Sequence, residues 1–113
     1  MDLELSHSAR GEAVVVSISG ELDALAAPQL DSYLTQLVAE RPALLVADLT
    51  SVDFLDSTGL GVLIKSLTSQ RENNGDMAVV APPGRVRKVL DITGMDQVMN
   101  VADSVADALG EES

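Results

Sequence analysis

The chain has no cysteine and no tryptophan, and only one tyrosine, one phenylalanine and one histidine. Each shortage removes a class of chemistry. Without thiols there are no disulfides, no thiolate nucleophile and no thiolate metal site. Tyr33 and Phe54 are too few to build a stacking platform for single-stranded nucleic acid, so the core has to come from Leu, Val, Ile and Ala. Basic residues are scarce as well: 7 Lys and Arg stand against 18 Asp and Glu, a formal charge of -11. Such a surface repels phosphate backbones and anionic membranes and favours a partner with a basic patch. For most of the acids, solubility alone is reason enough. No apolar run approaches the ~20 residues of a membrane-spanning helix. Met1-Asp2-Leu3-Glu4-Leu5 lacks the basic start and apolar stretch of a signal peptide, and a cytoplasmic location is expected.

What is present is a hydrophobic fraction of 46% in 113 residues, enough for one domain over residues 1–113 with a real core. Leu3 and Leu5 alternate with polar neighbours and predict a short strand. Gly11-Glu12 marks a turn. Ala13 to Ile18 predicts a second strand ended by Gly20. Pro28 suits the first turn of a helix carrying Leu30, Leu34, Leu37 and Val38, which stops before Pro42. Ala43 to Leu49 reads as a buried parallel strand. A loop follows, then a helix from about Ser57 to Asn74 with a Leu60, Leu63, Ile64, Leu67 stripe and Gly75 as its stop. Met77 to Ala81 predicts a strand closed by Pro82-Pro83-Gly84. Val86, Val89 and Leu90 mark a helix ending near Gly94, Val98 to Val101 a last strand, and Asp103 to Leu109 a last helix with a frayed acidic end. The order ββαβαβαβα implies an α/β domain: a mostly parallel sheet of four to five strands with about four helices. The carboxyl edge of such a sheet is its usual functional edge. Here it would gather Gly20-Glu21-Leu22-Asp23, the Asp53 to Ser57 loop and the Pro82-Pro83 turn.

The stretch Val52-Asp53-Phe54-Leu55-Asp56-Ser57-Thr58-Gly59-Leu60-Gly61 sets a serine after an acid at the mouth of a helix. Ser57 has three readings: nucleophile, helix cap or phosphate acceptor. A nucleophile needs a base, and His7 is the only imidazole, far away in the first strand with no nucleophile-elbow pattern around Ser57. Either Ser57 or Asp56 is a good N-cap. A phosphate on Ser57 would add about -1.5 to -2 charges. Free helix N–H groups would stabilise it, and Asp53 and Asp56 would repel it. Gly59-Leu60-Gly61 lacks the rest of a phosphate loop or dinucleotide fingerprint; small residues that let the helix pack closely explain it better. A two-component receiver fails for want of a lysine after the last strand, since Lys65 and Lys88 both fall on helices. Glu21, Asp23, Asp53 and Asp56 lack the spacing of a calcium loop and read as solvated acids. No metal or cofactor is expected. Arg85, Arg87 and Lys88 form the only basic cluster, read as a solvated helix face, with an acidic neighbour protein as the weaker idea.

Asp56-Ser57-Thr58-Gly59-Leu60-Gly61 after an apolar strand resembles the phosphorylation motif of STAS domains, in particular bacterial anti-sigma factor antagonists. Ile18-Ser19-Gly20-Glu21-Leu22-Asp23 with Ala27-Pro28 is similar to that family's Gly-Glu-Ile/Leu-Asp segment before its first helix. Ile92-Thr93-Gly94-Met95 resembles its Ile-Thr-Gly-Leu turn, with Met95 a departure. The three matches are in order and span nearly the whole chain. The resemblance implies a non-enzymatic partner switch. Unphosphorylated, the antagonist binds an anti-sigma factor that is also an ATP-dependent serine kinase, and the sigma factor is released. The kinase then phosphorylates the antagonist and the complex parts; a phosphoserine phosphatase restores it. Carried over, the acceptor is Ser57, with Thr58 second, and Glu21, Asp23, Leu25, Asp53, Asp56, Thr58, Gly59 and Leu60 are the expected partner contacts. Leu60 is expected to belong more to the core. Two alternatives are a STAS subunit of a transport or lipid-trafficking complex and a stressosome-type scaffold, which usually carries an extra N-terminal module not expected here. A small nucleotide-binding protein is a third.

Overall fold

A computed structural model describes residues 3–111. Glu112 and Ser113, the tip of the acidic end expected to fray, lie outside the described residues, as do Met1 and Asp2. Strands β1 (Glu4–Arg10) and β2 (Ala13–Leu22) form a hairpin about Gly11-Glu12. Then come α1 (Ala27–Ala39), β3 (Leu44–Leu55), α2 (Ser57–Glu72), β4 (Asp76–Val80), α3 (Arg85–Ile92), a single 3₁₀ turn (Met95–Gln97), β5 (Asn100–Ala102) and α4 (Val105–Leu109). Among the described residues the sheet has five strands in the order β1-β2-β3-β4-β5, antiparallel at β1/β2 and parallel elsewhere. This is the expected α/β order.

Strand residues alternate between the sheet's two faces. Val16, Ile18, Leu45, Ala47, Leu49, Met77 and Val79 pack with Leu30, Leu34, Leu63, Leu67 and Leu90 of α1, α2 and α3. Val15, Val46, Ala78, Val80 and Ala102 face the other way, where Ala108 of α4 meets them. Because β3 and β4 are covered on both sides, Leu45-Val46-Ala47 and Met77 to Val80 read as unbroken apolar runs.

Four expectations are corrected. Gly20 does not end β2: the strand bends through it at φ 116, a conformation open to glycine, and continues to Leu22. The loop expected after Leu49 is strand, since β3 runs on to Leu55. Two register shifts explain why it looked irregular. Ser17 pairs with Asp48, Ser19 with Ser51 and Glu21 with Phe54, so the offset between partners grows from 31 to 32 to 33. β3 thus carries two extra residues, as bulges do, and loses its period of two. The buried stripe of α2 includes Ser66 and Gln70, whereas Ile64 is exposed. Finally, Arg87 is not on a solvated face. Its Nη1 donates to the Ala81 carbonyl at 2.8 Å and to Asp103 at 2.7 Å, and Asp91 is at 3.5 Å. The hydrogen bond to Asp103, with the charges of Asp103 and Asp91, holds the guanidinium above its ordinary pKa against some desolvation.

Gln70 joins the amino-terminal end of the sheet. Fully buried, its Nε2 donates to the Pro42 carbonyl ahead of β3 (3.1 Å) and to the Asp76 carbonyl opening β4 (2.9 Å). Gln70→Ala leaves both carbonyls without this donor and opens a cavity. A loss of about 2 to 4 kcal/mol is expected in urea unfolding.

Candidate functional site

The site is built where β2 and β3 end together. Glu21 lies opposite Phe54 and Leu22 opposite Leu55, and the Asp56 amide then donates to the Leu22 carbonyl at 3.2 Å. Asp56 is extended (φ -111, ψ -175) and caps α2: its Oδ1 accepts from the Thr58 amide at 2.9 Å and the Gly59 amide at 3.1 Å. The capping role belongs to Asp56 alone. Ser57 is the first residue of the helix; it is exposed, and its hydroxyl makes no hydrogen bond among the described residues.

This cap corrects the expectation that helix N–H groups stand free for a phosphate. Asp56 takes the amides of Thr58 and Gly59 through its side chain and that of Leu60 through its carbonyl at 3.0 Å. A phosphate on Ser57 would meet the Asp56 carboxylate, with the Thr58 and Gly59 amides already engaged by it.

Gly59 fixes how closely α2 seats on β2. A Cβ there would lie 2.8 Å from the Leu22 carbonyl oxygen, 2.9 Å from Leu22 Cβ and 2.9 Å from Leu55 Cδ1. Gly61 has open space around it, so only the first of the two glycines serves close packing. Leu60 is 7% exposed and belongs to the core, as expected.

The other expected contacts gather at the same edge. Asp23 Oδ1 accepts from the Ala26 amide at 3.0 Å and its carbonyl from the Ala27 amide at 2.9 Å, turning the chain into α1. Leu25 stands on that turn, 92% exposed. Glu21 is half-buried, and Asp53, Ser57 and Thr58 are exposed. Gly59 and Leu60 face inward. The Pro82-Pro83 turn does reach this edge: a cavity of about 580 Å³ lies between Thr50, Asp53, Pro82, Pro83, Gly84 and Arg85. Among the described residues no three His, Asp or Glu side chains gather as a metal site. His7 pairs with Val16 and is hydrogen-bonded to Tyr33, the rings edge to face at 5.5 Å. Val16 is six residues before Leu22 along β2, roughly 20 Å from the Ser57 end of the sheet.

The sequence reading missed Phe54 and the cleft it lines. Phe54 is 46% exposed although it is one of only two aromatic residues. With Asp53, Leu55, Arg85, Val86 and Val89 it lines a cleft of about 150 Å³ beside the Ser57 turn. A lone phenylalanine between two acids was the available signal.

An α/β domain with an uncommitted serine, set among acids at the carboxyl edge of its sheet, is a surface suited to docking. The STAS domain family model matches residues 5–108, and the chain belongs to that family. It is similar to the anti-sigma-B factor antagonist of Staphylococcus aureus, 27% identical over 89% of this chain and 94% of that protein. The crystal structure of an anti-sigma factor antagonist from Mycobacterium paratuberculosis superposes with a TM-score of 0.90 at 32% identity, covering 96% of this chain and 92% of that one. In fold it also matches the Bacillus cell fate determinant SpoIIAA, solved in its phosphorylated form, with a TM-score of 0.70 at 22% identity over 96% and 97% of the two chains. Among the described residues no helix is long and apolar enough to cross a membrane.

The two glycines of α2 give opposite expectations. Gly59→Ala drives a methyl group into the Leu22 backbone and is expected to lower stability by about 1 to 3 kcal/mol. Gly61→Ala, one turn-half further on in open space, is expected to raise it by about 0.5 to 1 kcal/mol. Thermal unfolding of the two variants checks the signs.

Proposed function

We propose that the chain is an anti-sigma factor antagonist worked by phosphorylation. Unphosphorylated, it binds an anti-sigma factor that is also a serine kinase, and so frees a sigma factor for transcription in the cytoplasm. The kinase transfers the γ-phosphoryl group of ATP to Ser57 Oγ: the bond from the γ-phosphorus to the β–γ bridging oxygen breaks, ADP and the hydroxyl proton leave, and the complex parts. A phosphoserine phosphatase resets the switch.

One observation carries this reading: the Ser57 hydroxyl is exposed at the start of α2 and uncommitted, because Asp56 does the capping. An enzyme can reach such a group without unfolding anything. Relatives named as anti-sigma factor antagonists, matching over almost their whole length, support it. Thr58 is exposed too and its hydroxyl makes no hydrogen bond among the described residues; Ser57 is chosen because the family's motif puts the acceptor directly after the acid.

The release is electrostatic. The phosphate adds about -1.5 to -2 charges beside Asp56, with Asp53 nearby on β3. Like charges forced together in a desolvated interface oppose binding by several kcal/mol, which is ~10³-fold in affinity or more. Asp23, Leu25 and Glu21 form the rest of the docking face on this reading.

The test begins with the anti-sigma factor kinase of the same organism and ATP, followed by mass spectrometry. Label is expected on Ser57; label outside the 57–58 pair removes the assignment. Ser57→Ala should bind the kinase as the unmodified chain does, and Ser57→Asp at least tenfold more weakly, a difference of about 1.4 kcal/mol. Equal affinities would defeat the charge argument. Circular dichroism of the two variants should match.

A further inference from the structure

Two features next to the Ser57 turn are not used by the acidic docking face. The first is the cleft of about 150 Å³ between β3 and α3, walled by Phe54, Leu55, Val86 and Val89 with Asp53 and Arg85 at its rim. The apolar surface continues beyond it: Ile92, 84% exposed, follows Arg85 by seven residues and so lies on the same face of α3 as Arg85, Lys88 and Val89. The second is charge. Four of the seven basic side chains, Arg10, Lys65, Arg71 and Arg87, are in ion pairs with acids of this chain. Arg85 and Lys88 are exposed and have no acidic partner among the described residues, although acids outnumber bases 18 to 7.

We propose that this face of α3 is a second half of the docking surface, apolar and basic, and that its occupant is the anti-sigma factor. The inference rests on the function proposed above. A partner that covers Ser57 has to cover this cleft as well. Asp53, Phe54 and Leu55 lie two to four residues before Ser57 on the strand that ends there. A stable interface spans roughly 800 Å² on each side, far more than one helix start offers. The cleft takes one apolar side chain of the partner, with Phe54 as the aromatic wall that such contacts favour. Arg85 and Lys88 meet carboxylates, while Glu21, Asp23 and Asp53 meet cations. The partner's surface is therefore two-sided in charge, and that fixes the orientation in which it docks.

The test titrates the full chain and its variants against the purified anti-sigma factor kinase that modifies Ser57. Arg85→Glu and Phe54→Ser are each expected to weaken binding about tenfold or more. Arg41→Glu is the control. It makes the same change of net charge at another exposed cation with no acidic partner among the described residues, beside Pro42 and Gly75 at the opposite end of the sheet, and is expected to leave affinity unchanged. Should Phe54→Ser fail to fold in thermal unfolding, Arg85→Glu, an exposed helix substitution, decides alone. If both variants bind like the unmodified chain while Ser57→Asp still releases, the α3 face is not a docking surface and the proposed function stands. If Arg41→Glu weakens binding as much as Arg85→Glu, net charge is responsible and the α3 face is overturned. If no anti-sigma factor kinase binds the unmodified chain, both readings fall.

Discussion

Gly59 lies against the carbonyl of Leu22 with no room for a methyl group, and the layout of the site follows from that contact. β2 and β3 stay paired through Leu22 and Leu55, the Asp56 amide closes onto Leu22, and the first turn of α2 settles directly on the strand end. Three segments distant in sequence are thereby held at one edge: the Glu21 to Leu25 turn, the Asp53 to Ser57 stretch and the start of α2. A larger residue at position 59 would lift the helix start off β2 and separate the acids of the first segment from the serine of the second. Leu60 and Leu63, buried immediately after it, anchor the same turn to the core, so the position of Ser57 is set by packing and not by any bond of its own.

Asp56 then decides what Ser57 is available for. A helix start leaves amide groups that something must satisfy, and the Asp56 carboxylate satisfies two of them, while its carbonyl takes the first regular helical bond from Leu60. A serine cap would have tied the hydroxyl down. An acid cap leaves it loose and also places a negative charge beside it. The residue that exposes the hydroxyl is thus the residue that would repel a phosphate on it. On the proposed reading, the cap that holds the helix and the hydroxyl that takes the phosphate belong to different residues, Asp56 and Ser57.

Much of this was legible in the sequence. The patterning gave the order of the five strands and four α-helices, though not the 3₁₀ turn Met95–Gln97, and it set the last strand at Val98 to Val101 where β5 is Asn100–Ala102; the Asp56-Ser57 pair marked the helix start, and Gly20 to Asp23 was assigned to the same edge. What stayed hidden has physical causes. A strand with two extra residues has no period of two, so Thr50 to Phe54 looked like a loop. Gln70 looked like the polar face of α2; it can be buried only because carbonyls from two other segments accept its amide, and such partners are invisible to helical spacing. Arg87 looked solvated for the same reason, with Asp103 sixteen residues away. The edge strand β1 is polar over most of its length, so Leu3 and Leu5 showed only its beginning. Spacing along the chain reports which residues share a face, but not which distant carbonyl or carboxylate comes to meet them.

Charge shows the same limit. A net charge of -11 describes a uniformly acidic chain, yet ion pairing makes the surface uneven. Where bases are paired with acids the two cancel locally; where they are not, as at Arg85 and Lys88, a basic patch survives a few residues of strand away from a cluster of acids. An interaction with a wholly acidic face would depend mainly on total charge, would weaken smoothly with salt, and would tolerate many orientations. A face with acids on one side, an apolar cleft between and cations on the other can be matched in one orientation only. For the switch proposed above, in which a single hydroxyl takes the phosphate, this matters. Added charge is decisive only if it is always pressed against the same part of the partner, and a two-sided face is what would bring Ser57 to that place each time the proteins meet.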